Sequence, residues 1–63
     1  MPVITVNTFE GKTTELKKRW IQELTRVSME VLGIDDPSIF TIIINEVPKQ
    51  NWGKNGVPAS ELD

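Results

Sequence analysis

Residues 13–33, TTELKKRWIQELTRVSMEVLG, carry an apolar stripe of helical period. Leu16, Trp20, Leu24, Val27 and Val31 recur at steps of four, four, three and four, and Ile21, Ser28 and Leu32 widen the stripe. Lys17, Lys18, Gln22, Arg26 and Glu30 fall on the other face. Thr13 or Thr14 can cap the start, with Glu15 well placed for the positive end of the helix dipole. Gly33 is a natural stop and Pro37 cannot extend the helix. The spacing predicts one helix of about five turns. Trp20 reads as core. Lys17, Lys18 and Arg19 read as a wet face, with Glu15 and Arg19 at i,i+4 spacing.

The segments on either side of this helix have strand character. Residues 3–8, VITVNT, are rich in β-branched types, and Gly11 breaks the pattern. Residues 38–46, SIFTIIINE, form the second expected strand. Its run from Phe40 to Ile44 is apolar apart from Thr41, so both of its faces are expected to be buried. Strand, helix and strand make a βαβ unit with parallel strands and a right-handed crossover. Beyond Pro48, the pair Asn55-Gly56 signals a small hairpin, because both residues tolerate positive φ. Ala59 to Asp63 are expected to fray or to dock on a neighbour. The fold class is α+β, with residues 1–63 as a single domain.

Composition narrows what this fold can do. A 63-residue chain buries only about 60% of the surface its unfolded form exposes. Small folds of this kind usually add disulfides, a metal or partner subunits. Cys and His are both absent, which excludes a disulfide and a Cys/His zinc site. The lone helix covers one sheet face, and the open strand edges invite pairing, so self-association is expected. A net charge of −2 without a basic stripe argues against nucleic acid as a partner. The longest apolar run is far short of the roughly 20 residues needed to span a bilayer. No signal-peptide pattern is visible at the start, which makes the cytoplasm the expected location. No metal or organic cofactor is expected.

The same absences limit the chemistry. There is no Ser-His pair, no thiolate nucleophile and no imidazole base. The group titrating nearest neutrality is then the α-amine, ordinarily at about 7.7–8.0. If Met1 is removed, that amine is the secondary nitrogen of Pro2. An apolar pocket would disfavour its charged form, making it a general base or a nucleophile toward carbonyls. The alternative is that Pro2 simply starts an edge strand. Glu10, Glu46 and Glu61 read as solvated or capping groups rather than acids.

Met1-Pro2, the first strand, Glu10-Gly11-Lys12, one amphipathic helix, an apolar second strand, Asn45-Glu46-Val47-Pro48 and Asn51-Trp52-Gly53 before a hairpin form a set. From Pro2 to about Ala59, this set resembles the 4-oxalocrotonate tautomerase family, the short members of the tautomerase superfamily. The resemblance implies a βαβ unit with a C-terminal hairpin that pairs into homodimers and commonly into a trimer of dimers. It also implies keto–enol tautomerisation of a small 2-hydroxy-dienoate or 2-keto acid, a carboxylate substrate, with Pro2 as the base.

Position by position, Lys12 falls where that family has an arginine, keeping the charge without the bidentate fork. Trp52 matches an aromatic residue that keeps the pocket dry. Thr41, or Phe40 if the alignment shifts by one residue, stands where the family has its second arginine. That loss bears on a dicarboxylate substrate. Asn55 replaces the first of two hairpin glycines and tolerates the turn. The same proline serves hydration, dehalogenation or decarboxylation elsewhere in the superfamily, with further acids or arginines that are not evident here. A non-enzymatic reading also stands, in which the chain is an oligomeric scaffold or binding module of the same fold with weak or lost activity.

Overall fold

The computed structural model describes residues 2–62. Thr13, rather than Thr14, caps the helix. Its backbone is extended, and its hydroxyl accepts the Leu16 N–H at 3.1 Å. Helix α1 (Thr14–Leu32) closes at Gly33, where φ is 65°. The Gly33 N–H donates to the Glu30 carbonyl at 3.4 Å and the Ile34 N–H to the Met29 carbonyl at 3.0 Å, which satisfies the last turn.

The helix is flanked by β1 (Val3–Phe9) and β2 (Thr41–Val47), which pair in parallel from Val3–Thr41 to Phe9–Val47. Two further bonds extend the ladder. The Thr41 N–H donates to the Pro2 carbonyl at 3.1 Å, and the Glu10 N–H donates to the Val47 carbonyl at 3.2 Å. The second strand therefore begins three residues later than the expected 38–46 and runs one residue further. Residues Pro37–Ile39 form a 3-10 helix instead. Asp36 causes the change, since its carboxylate accepts both the Ser38 N–H at 3.0 Å and the Ser38 hydroxyl at 2.7 Å. Pro37 follows that cap with its φ already suited to a helical turn.

Side chains alternate along both strands. Ile4, Val6, Thr8, Ile42, Ile44 and Glu46 are half-buried on one face. The residues between them look away. Val3 is 60% exposed and Ile43 is 42% exposed, so the face expected to be buried is open in the single chain. On that open face Asn45 Nδ2 donates to Asn7 Oδ1 at 3.1 Å, directly across the ladder. On α1, Lys17, Trp20, Leu24 and Ser28 are half-buried, whereas Val31 at the end of the stripe is 76% exposed. The apolar arc of the helix is wider than two strands can cover. The helix ion pairs join Arg26 to Glu23 and Glu30; among the described residues Glu15 and Arg19 form none.

After β2 the chain makes a 3-10 helix (Lys49–Asn51) and a hairpin of β3 (Gly53–Lys54) and β4 (Val57–Pro58), paired antiparallel. Asn55 (φ 55°) and Gly56 (φ 77°) supply the two left-handed residues of the turn. Ala59–Glu61 form a further 3-10 helix rather than a frayed end. Ala59 is 6% exposed and its N–H donates to the Trp52 carbonyl at 2.7 Å, which closes the hairpin root. Asp63, included in the expectation for this end, lies outside the described residues.

These elements make an elongated body of 44 × 24 × 15 Å. Its radius of gyration is 14.8 Å, against roughly 11 Å for a compact chain of this length. Its accessible surface is 4819 Å², against roughly 4,100 Å² for a folded monomer of this mass. Thr13→Ala removes the one side-chain cap of α1. It is expected to cost about 1 kcal/mol in urea denaturation at fixed protein concentration, with Thr13→Ser close to the native value.

Candidate active site

A parallel pair places the starts of both strands together. Pro2 is half-buried at that end, held by its carbonyl in the ladder opposite the Thr41 N–H. Thr41 is exposed and brings no charge. The main chain thus fixes Pro2 in place, and the last peptide bond of the ladder sits immediately behind its ring nitrogen. Met1, whose removal the catalytic reading requires, lies outside the described residues.

The opposite end of the sheet collects a different set. Gly11 adopts φ 104°, turning the chain sharply after β1. Lys12 follows, and its N–H donates to Glu46 Oε2 at 3.1 Å while its Nζ donates to the Phe9 carbonyl at 3.2 Å. Phe9 is half-buried and meets Trp52 edge to face, with ring centroids 4.9 Å apart and planes at 62°. That geometry lets the positive edge of one ring approach the negative face of the other. Trp52 is itself fixed twice by the main chain, through its N–H to the Lys49 carbonyl at 3.2 Å and through the bond from Ala59. Lys49 Nζ lies 5.6 Å from the Phe9 centroid.

Glu46 organises this end. Its Oε1 accepts a hydrogen bond from Lys17 Nζ at 2.5 Å, tying β2 to the first turn of α1. The Lys17 ammonium, followed by the Lys12 N–H, holds the Glu46 carboxyl below its ordinary value. Glu46 thus caps a main-chain N–H and stays a carboxylate, as the capping reading expects, but it is not freely solvated, and the expectation of a wet Lys17 is corrected. The alternation seen along β2 sets Glu46 on the face of Ile42 and Ile44, and Lys17 precedes Trp20 and Leu24 at i+3 and i+7. Phe9 and Lys49, to which the sequence assigns no role, also lie at this end. Their signal lay in the register, which sets Phe9 opposite Val47, two residues before Lys49.

One chain therefore brings Pro2 to Thr41, and separately brings Lys12 and Trp52 to Phe9. It does not bring the two pairs together. Seven residues of strand lie between them, about 23 Å at the usual rise. Two surface grooves among the described residues lie elsewhere. One, of about 490 Å³, runs between the first half of α1 and Ile44, and the other, of about 380 Å³, lies by Met29, Gly33 and Asp35. Among the described residues no cluster of acids is arranged to hold a metal ion, and no helix is long and apolar enough to cross a membrane.

Comparison with known proteins adds to this geometry. Residues 2–61 match the family model described as Tautomerase enzyme. A 2-hydroxymuconate tautomerase of Comamonas testosteroni is 39% identical over 62 residues, covering 98% of this chain and 97% of that one. A probable tautomerase of Ralstonia nicotianae is 43% identical over 60 residues, covering 95% and 84%. Among solved structures, a heterohexamer 4-oxalocrotonate tautomerase from Chloroflexus aurantiacus superposes with a TM-score of 0.88 at 25% identity, covering the whole of both chains.

The lowered Glu46 titration carries a sign. A carboxylate favoured in the folded state contributes stability above its unfolded value of about 4.3, and that contribution is lost as pH falls through the lower folded value. Glu46→Gln is therefore expected to lower the urea midpoint at pH 7. The two proteins are expected to converge as the pH is brought to the acid side of that window. A deficit unchanged by acid would instead point to lost packing.

Proposed function

The chain belongs to the tautomerase family of isomerases, and from that premise we propose that it interconverts enol and keto forms of a small 2-hydroxy-dienoate or 2-keto acid, with Pro2 as general base. The reading rests on Pro2, half-buried and held at the tip of the ladder by its own carbonyl. With Met1 removed, the ring nitrogen carries a free lone pair. It takes the proton of the enol hydroxyl, and the electrons move through the conjugated system to a carbon. The same nitrogen then returns the proton to that carbon, so the amine is regenerated and no co-reactant is consumed. Charge develops on the substrate oxygen in between, and an ammonium such as that of Lys12 would stabilise it. Trp52 would keep water from the amine and so favour its neutral form.

These roles require assembly. Pro2 and Lys12 are separated by the length of β1 within a chain, so a pocket containing both takes them from different copies. An antiparallel neighbour would bring its Gly11–Lys12 turn and hairpin root to the start of this chain's strands. The open face with Val3 and Ile43 and the surplus exposed area support such pairing. We extend it to homodimers and a trimer of dimers, in line with the heterohexamer named for the Chloroflexus relative. The reading assumes the cytoplasm as its setting and a small-molecule carboxylate as substrate.

A second reading, an assembling scaffold with weak activity, is favoured by the absence of charge at Thr41. Ketonisation of 2-hydroxymuconate separates the two. Pro2→Ala is expected to lower kcat by about 100-fold or more, with intact mass spectrometry showing Met1 removed from both proteins. Equal rates would remove the base assignment and leave the scaffold. Site sharing has its own measurement. Pro2→Ala and Lys12→Gln chains, each weak alone, are expected to recover part of the native rate when refolded together, because a mixed pair contains one intact site. No recovery would mean that each site is built within one chain.

A further inference from the structure

The cluster at the end of the sheet holds more positive charge than the proposed reaction has used. Lys49 opens the 3-10 helix after Pro48, where the Asn51 N–H donates to the Pro48 carbonyl at 2.9 Å and the Trp52 N–H to the Lys49 carbonyl at 3.2 Å. Those two bonds fix the Lys49 backbone relative to Trp52. Its ammonium lies over Phe9, the residue whose carbonyl holds Lys12 Nζ and whose ring meets Trp52. Lys12, Lys49 and Trp52 thus share one neighbour.

The charges around it are unequally satisfied. Glu46, whose carboxylate accepts the Lys12 N–H, is already paired with Lys17. Among the described residues, neither the Lys12 nor the Lys49 ammonium forms an ion pair. Lys12 gives one donor to a main-chain carbonyl, and Lys49 lies over the ring of the half-buried Phe9. An ammonium has three donors, so each retains capacity for a carboxylate oxygen. Beside them the Phe9 and Trp52 rings offer aromatic surface suited to a flat conjugated body.

We propose that Lys49 is a specificity-determining residue, binding the second carboxylate of a planar unsaturated dicarboxylate whose first carboxylate is held by Lys12. This rests on the tautomerase reading above and adds a contact to the same pocket. Both lysines come from one copy, and the Pro2 that acts on the ligand comes from another. Thr41, beside Pro2, contributes no cation, so discrimination between dianion and monoanion is assigned to the hairpin root.

The test uses the assembled wild-type chain and a ligand that is not turned over. In calorimetric titration, cis,cis-muconate supplies two carboxylates on a diene and sorbate supplies one. Lys49→Gln is expected to weaken muconate binding about 10-fold, the loss of one charge-assisted contact. Sorbate is expected to be little affected, and Lys49→Arg to keep most of the muconate affinity. Lys54→Gln, an equal loss of charge further along the hairpin, is expected to bind muconate as the wild type does. Muconate affinity unchanged in Lys49→Gln, or lowered equally by Lys54→Gln, overturns the assignment, as does a wild type that fails to bind muconate. With 2-hydroxymuconate as substrate, the same variant is expected to raise KM and leave kcat near the native value. If Pro2→Ala proves fully active, the reaction assignment fails while the calorimetry still decides Lys49.

Discussion

One helix can cover only one face of a two-stranded sheet. That constraint shapes nearly everything in this chain. The face under α1 carries the aliphatic residues Ile4, Val6, Ile42 and Ile44. The other face keeps Val3 and Ile43 in solvent, and among the described residues only Ala59, at 6% exposed, is buried. The side-chain bond between Asn7 and Asn45 joins the strands across that open face, and it favours one pairing register. A shift by one residue would exchange the two faces and present aliphatic side chains where the amides now sit. The sequence therefore specifies the unit well while leaving it short of buried surface.

Parallel pairing has a second effect, on chemistry. It gathers the two strand starts at one end and the two following loops at the other. Pro2 and Thr41 belong to the first group, and Lys12 and the Lys49–Trp52 segment to the second. No change of side chain can bring these groups together within one chain. Glu46 strengthens the division by fastening the second group to α1 through Lys17 and to the loop through the Lys12 N–H.

Much of the fold was legible in the sequence because its signals are periodic or steric. The apolar steps from Leu16 to Val31, the stop at Gly33 and the Asn55-Gly56 turn each reflect a local rule, and each is found in place. The start of β2 was misplaced because a cap at Asp36, a specific side-chain bond, overrode the strand preference of Ile39. The candidate residues could be proposed one by one, but not as a place. Pro2, Lys12, Thr41 and Trp52 could be named from a resemblance, yet their division between two ends follows from strand direction. Phe9 and Lys49 escaped notice because their contact with each other depends on register, which has no expression in local composition.

Pro2 is positioned by a bond between main-chain atoms, from the Thr41 N–H to its own carbonyl. Any residue other than proline at position 41 can supply that donor. The position of the Pro2 nitrogen is thus independent of the side chain at position 41, which can vary without moving it. Side chains beside Pro2 and in the loops at the other end can therefore change charge separately, without disturbing the main-chain bond that holds the strand start.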